Sequence, residues 1–242
     1  MKSHLKRWLS TSPYQVFDSV RKSRRFLADA RRIEGIVKCG HSDRLHIGCG
    51  GNIFNGWINT DIVKDSSGSF FMDATGSFPI PDNSLRYVYS EHVFEHLDPA
   101  GQVKYLRESF RTLAPGGKIR VATPNLERIL SLFKDSDEPF IKGYIDWNFK
   151  VFIGEKWPMS DKVSSRVEYV FNNYMRDWGH QMIHSRESLS ELIILSGFRD
   201  LTDHGVGESQ EPDLQSLERH DEMIGVENNR FETMIIEAFK PL

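Results

Sequence analysis

With 242 residues, 39% of them apolar and 27% charged, the chain has material for one large core and little for a second. No apolar run reaches the roughly 18 to 20 residues of a membrane span, and the opening MKSHLKRWLSTSP lacks a long secretory-type apolar region, which argues against an integral membrane protein and for the cytoplasm. Cys39 and Cys49 are too few for a disulfide framework and read as reduced thiols, while the net charge of -3 conceals a strong asymmetry along the chain.

Residues 1–44 carry 11 Lys or Arg against 4 Asp or Glu, which leaves that segment at +7 and the remainder at -10. Val16, Val20, Leu27 and Ile33 to Val37 recur at roughly helical spacing among the cations, predicting a basic helical extension over 1–43. Such a helix either caps the domain with a solvated charged face or lies on an anionic surface, a membrane or nucleic acid. From Arg44 the pattern changes. RLHIGCGGN predicts a buried strand running into a glycine loop, GWINTDI a second strand, SGSFFMDATGSFPIPDNS a third with a Pro/Gly/Asn-rich loop, and LRYVYS a fourth. Val103, Leu106, Phe110 and Leu113 then share a helical face, followed by a Pro-Gly-Gly stop and a strand IRVAT closed by Pro124.

Residues 126–178 break this alternation. They are dense in aromatic residues, among them Trp147, Trp157 and Trp178, and predict a helical insertion over one end of the sheet in a domain spanning 44–242. HSRESLSELIILSGFRDL reads as a helix with Ser185 as N-cap and Gly197 as stop, leading into a strand, and NNRFETMIIEAFKPL reads as the last strand. Strands alternating with helices at this spacing predict an α/β fold with a mostly parallel sheet and helices on both faces.

In such a sheet the ligand sits at the carboxyl ends of the strands, where the loop after the first strand usually touches it. Gly48, Cys49, Gly50 and Gly51 occupy that place. A dinucleotide fingerprint G-x-G-x-x-G/A fails at Ile53, so a pyrophosphate is poorly served, although the backbone can still approach a ligand without phosphates. Asp61 ends the second strand, where a carboxylate accepts from ribose hydroxyls; Asp73 ends the third, where one accepts from an exocyclic amino group. Either alone is an ordinary turn former, but together they outline a nucleoside-sized pocket.

These residues carry a resemblance. Through HIGCGGN, Asp61, Asp73, SEHVFEHL and LRESFRTLAPGGKIRVATPN, residues 45–125 resemble the class I S-adenosylmethionine-dependent methyltransferases of the type-11 family. SLSELIILSGF, ESQEPDLQSLERH and FETMIIEAFKP are similar to its subset associated with polysaccharide and cell-envelope sugar biosynthesis. The resemblance implies a Rossmann-like, mostly parallel seven-stranded sheet with an antiparallel last strand, and S-adenosyl-L-methionine as cofactor. It places Gly48, Cys49 and Gly50 against the methionine part, Asp61 with Ile62 at the ribose, and Asp73 with Ala74 at the adenine, with Ser90 and Glu91 lining the donor pocket. His46 stands where the family often has an acid, so the donor's amino group is expected to be held differently, with Glu91 as the nearby carboxylate.

The implied reaction is O-methylation of a sugar hydroxyl on a polysaccharide or glycolipid, which requires alignment and removal of one proton. Histidine suits that task near neutral pH. His180, after the aromatic insertion, is the first candidate base, with His92 and His220 beside it. Trp147, Trp157 and Trp178 either stack on sugar rings or form a satellite core. His92, Glu95 and His96 also spell H-x-x-E-H, an inverted zinc-protease signature. That chemistry needs both histidines on one helix, whereas His92 follows a strand, so no metal ligands are expected. Nucleic acid as acceptor is disfavoured by the acidic catalytic part, and a non-catalytic binding module is the remaining alternative, suggested by His46.

Overall fold

A computed structural model describes residues 13–63, 68–156 and 162–242. Seven strands form one sheet: β1 (Arg44–Ile47), β2 (Ile58–Asp61), β3 (Phe70–Phe71), β4 (Leu85–Glu91), β5 (Leu113–Pro124), β6 (Arg199–His204) and β7 (Thr233–Phe239). Their order is β3-β2-β1-β4-β5-β7-β6. β1 to β5 pair in parallel, and β7 runs antiparallel to both β5 and β6, as expected for a Rossmann-like sheet of this class. Strand residues Leu45, Ile47, Ile58, Val88, Ile119, Val121 and Ile236 are buried against helix residues Leu106, Leu189 and Ile193. Each such side chain contributes about 1.5–3 kcal/mol by leaving water.

The first helix, α1 (Pro13–Lys38), lies along the sheet edge. Ile33 is fully buried in the core, the Asp29 carboxylate accepts a hydrogen bond from Phe71 N at 3.0 Å, and Arg32 sits over the Phe70 ring. The helix therefore covers the otherwise open edge strand β3, the device that keeps such edges from pairing with other chains. Val16 and Val20 precede the described side chains. Among the described residues no helix is long and apolar enough to cross a membrane.

α2 (Pro99–Thr112) begins with Asp98 accepting from Gly101 N and with proline at its first position. The predicted Pro-Gly-Gly stop lies inside the span of β5, which starts at Leu113 directly after the helix. Leu113 pairs with Leu85, the register then shifts, and Gly116 at φ +80° lets the strand rejoin at Lys118 and Tyr87. α3 (Leu126–Lys134), α4 (Pro139–Asn148), a π-helical turn over Phe149–Ile153 and α5 (Val167–Arg176) make up the insertion. They enclose a second apolar cluster that includes Ile129, Leu132, Tyr144, Phe149, Val170 and Tyr174.

α6 (Arg186–Leu195) has the expected ends: Ser185 Oγ accepts from Ser188 N, and Gly197 follows at φ +106°. The predicted last strand is shorter than its apolar pattern, because α7 (Asp221–Ile224) and α8 (Val226–Glu232) precede β7. Helical winding there buries Asn229 and Glu232, a tertiary gain that local propensity does not encode.

Candidate active site

The carboxyl ends of β1, β2 and β4 open onto a cavity of about 910 Å3 lined by Gly48, Asp61, Ile62, Asp73, Ala74 and His92 among others. Gly48 has φ +69°, and a Cβ there would stand 2.2 Å from Val93 Cγ2, so the loop can pass only as glycine. Asp61 accepts from Gly50 N at 2.9 Å and Val63 N at 2.7 Å, which fixes its carboxylate at the cavity edge with lone pairs to spare for a diol. Asp73 is anchored through Oδ1 by Thr75 N at 2.8 Å and Thr75 Oγ1 at 2.7 Å. A nucleoside bearing a vicinal diol and an exocyclic amine, without phosphate, fits this donor set.

Several residues singled out in the sequence lie elsewhere. His46 is buried on β1 under the glycine loop, stacked on Phe54 at 4.5 Å with Nδ1 3.2 Å from Asn59 Oδ1, and burial lowers its pKa to about 4. It is a neutral core ring and does not line the donor cavity. Cys49 points inward, its thiol raised to about 11 by burial and by the Asp61 charge. Gly50 contributes its N–H to Asp61 rather than lining the cavity. Ser90 is buried against the Tyr105 hydroxyl at 2.8 Å. Glu91 accepts from Arg219 N and His220 N, at 2.9 and 3.0 Å, and so holds the 219–220 turn instead of the donor. Lys104, Asp98 and Gln181 line the cavity without having carried any recognisable sequence signal.

A second cavity of about 270 Å3 adjoins the first, and His92 and His96 line both. Its walls bring together His180, His220, Glu95, Glu232, Tyr174 and Trp178. The fold explains this convergence. His92 leaves β4, Glu95 and His96 form the 3-10 turn after it, and Glu232 and Thr233 lie at the start of antiparallel β7, which meets the carboxyl ends of the parallel strands. His180 follows α5, and Gln181 N donates to Glu95 O at 2.8 Å, which ties that segment to the turn.

His92 adopts φ +49°, a left-handed conformation that histidine tolerates better than most residues. Its Nδ1 lies 3.0 Å from Glu95 Oε1 and its Nε2 3.2 Å from Thr233 Oγ1. Burial pulls its pKa down, but the hydrogen bond and charge of Glu95 outweigh this and raise it, making His92 a poor base. Burial acts upward on Glu95 and is likewise outweighed, by His92 and then His96, so Glu95 remains a carboxylate; its Oε2 accepts from Thr123 Oγ1 at 2.9 Å. His180 is lowered by burial, and its Nδ1 donates to Tyr174 O at 2.7 Å, leaving Nε2 with a lone pair. The His220 ring lies tilted against that of His92, centroids 3.9 Å apart, with its Nε2 3.3 Å from Glu232 Oε1. Glu232 Oε2 accepts from the hydroxyls of Tyr144 and Tyr174. Trp147 packs into the second apolar cluster, Trp178 lines the cavity, and Trp157 lies outside the described residues.

Residues 60–121 match the family model described as a methyltransferase domain, about a quarter of the chain. No curated protein matches the sequence. Solved structures similar to this chain include an S-adenosylmethionine-dependent methyltransferase from Archaeoglobus fulgidus, with 21% identity, TM-score 0.48, and 95% of this chain and 100% of that one covered. Another, from Thermotoga maritima, has 14% identity, TM-score 0.45 and coverages of 91% and 95%. A phosphoethanolamine N-methyltransferase from Haemonchus contortus, in complex with S-adenosylmethionine, has 13% identity, TM-score 0.45 and coverages of 90% and 53%. The sheet order is that of the Rossmann-like methyltransferase fold, and residues 60–121 carry the match to a methyltransferase domain, for which S-adenosyl-L-methionine is the cofactor.

Proposed function

We propose that the protein O-methylates a sugar hydroxyl at the end of a cell-envelope polysaccharide or glycolipid. The observation that carries this reading is the pair of adjoining cavities, one suited to the donor and one lined by histidines and Trp178, sharing His92 and His96. When bound, S-adenosylmethionine supplies a methyl group on a sulfonium, so the chain's own task is to align a hydroxyl and take its proton. At about 270 Å3 the second cavity is smaller than the roughly 300–1,000 Å3 of typical ligand pockets, which favours one sugar ring over a run of them. The face of Trp178 offers that ring an apolar platform.

Proton removal is assigned to His220. Its Nε2–H is oriented by the Glu232 carboxylate, which also stabilises the imidazolium that forms, and Nδ1 is left as the accepting nitrogen. His180, the first candidate from sequence, has its free nitrogen near Glu95 and His96. The basic stretch Arg21, Lys22, Arg24 and Arg25 is proposed to hold the enzyme at the anionic inner membrane face, where such acceptors are assembled.

The test is transfer of labelled methyl to envelope glycans from cells lacking the protein. His220→Gln is expected to lower turnover about 10^2- to 10^4-fold, the usual worth of a general base, while calorimetry shows S-adenosylhomocysteine binding unchanged. Label entering nucleic acid instead of glycan would overturn the acceptor assignment, and absence of S-adenosylhomocysteine binding would favour a non-catalytic module.

A further inference from the structure

The small cavity contains more lone pairs than proton removal needs. Ligand atoms of Glu95, His96 and His180 lie within 4.8 Å of one another, and so do those of His92, His220 and Glu232. The two sets differ in what their atoms are already doing. In the second, His220 Nε2 is engaged by Glu232 and His92 Nε2 by Thr233. In the first, the His180 Nδ1–H is committed to Tyr174 O, which fixes the ring and turns Nε2 toward the set. Glu95 is steadied by Thr123 and His92, so its carboxylate has a defined direction. Metal-ligating histidines give their far N–H to an outer carboxylate, backbone carbonyl or water, and ligating carboxylates are hydrogen-bonded in turn.

Two imidazoles and a carboxylate converge there, with His96 Nε2 3.9 Å from Glu95 Oε1, beyond direct hydrogen-bond reach. Ligands at about 2.1 Å from one ion stand roughly 3–4.2 Å apart, so side-chain shifts of up to about an ångström close this set on an ion.

We propose that Glu95, His96 and His180 bind one divalent transition-metal ion in the wall of the acceptor cavity. Nitrogen and carboxylate donors in this ratio select ions such as Zn2+, Mn2+ or Fe2+ over Mg2+ and Ca2+, which prefer oxygen alone. Three protein ligands leave open positions, and here those positions face the cavity that also holds His220. An acceptor hydroxyl bound to the ion becomes more acidic, and its proton passes to His220 Nδ1. The inference rests on the methyltransferase reading for its role, but the site itself is measurable without turnover.

Chelator-treated full-length protein, titrated with Zn2+ by calorimetry and with Co2+ by visible absorption, is expected to bind about one equivalent, with Mg2+ giving no comparable heat. Glu95→Gln, His96→Ala and His180→Ala should each weaken Zn2+ binding at least about 10-fold, the lower bound seen even for loss of an outer-shell partner. His220→Gln should leave it unchanged. S-adenosylhomocysteine binding, measured on the same samples, reports folding and the donor site separately. Absence of Zn2+ and Co2+ binding by protein that still binds S-adenosylhomocysteine overturns the proposal, as does loss of metal in His220→Gln but not in His180→Ala. Metal binding without S-adenosylhomocysteine binding supports the ion site and overturns the methyltransferase reading instead.

Discussion

At the scale of single residues, His46 shows how a charge-capable side chain becomes part of a core. Its ring is stacked on Phe54 and buried, and burial holds its pKa near 4. The unfolded chain takes up a proton near about 6.5, whereas the folded ring resists until about 4, so between those values the unfolded state binds more protons. The stabilisation is complete above about 6.5 and is lost as pH falls toward 4, on the order of 3 kcal/mol by linkage. Urea titrations at pH 7 and pH 4.5 should therefore show a smaller loss of stability in His46→Phe than in the parent. Equal losses would mean that the buried ring does not govern this slope. Asn59, the histidine's partner, still receives a hydrogen bond from Phe54 N in that variant.

Between elements, the decisive link is one arginine. Arg120 on β5 is fully buried and bonds Glu218 through Nε at 2.9 Å and Nη2 at 3.0 Å, Glu237 on β7 at 2.6 Å, and Glu208 O at 2.8 Å. Glu218 also accepts from Gly207 N at 2.8 Å. This network fastens the long connection between β6 and α7 to the sheet, and that connection carries His220 to the cavity. Arg120→Met is expected to cost about 3–5 kcal/mol, because it strands two buried carboxylates, and to lower turnover in whatever fraction remains folded. Denaturant unfolding checks the first effect. Converting Glu218 and Glu237 to Gln in the same protein should recover part of the stability, since the stranded charges are then gone. A sequence reading finds Arg120 only as a cation inside an apolar strand, IRVAT, with no hint that its partners are 98 and 117 residues away.

For the molecule as a whole, the edge helix gives the basic extension a structural task besides any surface contact. Deleting residues 1–44 would remove Ile33 from the core and Asp29 from the edge of β3, so truncation confounds membrane binding with unfolding. Replacing Arg21, Lys22, Arg24 and Arg25 with Gln avoids this. Flotation with anionic vesicles is expected to recover the parent and lose the variant, with an effect that fades as salt rises, because each cation near the surface contributes only about 1 kcal/mol and is screened within a Debye length. Equal recovery of the two proteins would count against a membrane role.

The parts of this protein legible from its sequence are those written in local periodicity and turn chemistry. Apolar runs, the Ser185 cap and Gly197 stop, the glycine loop and the strand-end placement of Asp61 and Asp73 needed only neighbouring residues to be read, and from them the parallel sheet and the donor cavity follow. Adjacency in sequence also points His46, Ser90 and Glu91 at that cavity, but the strand pleat and their tertiary partners turn them elsewhere. The histidine cavity was illegible because its members span residues 92 to 232 and meet only where antiparallel β7 brings its first residues to the carboxyl ends of the parallel strands. Local pattern determines which elements form; long-range register alone decides which side chains share a pocket.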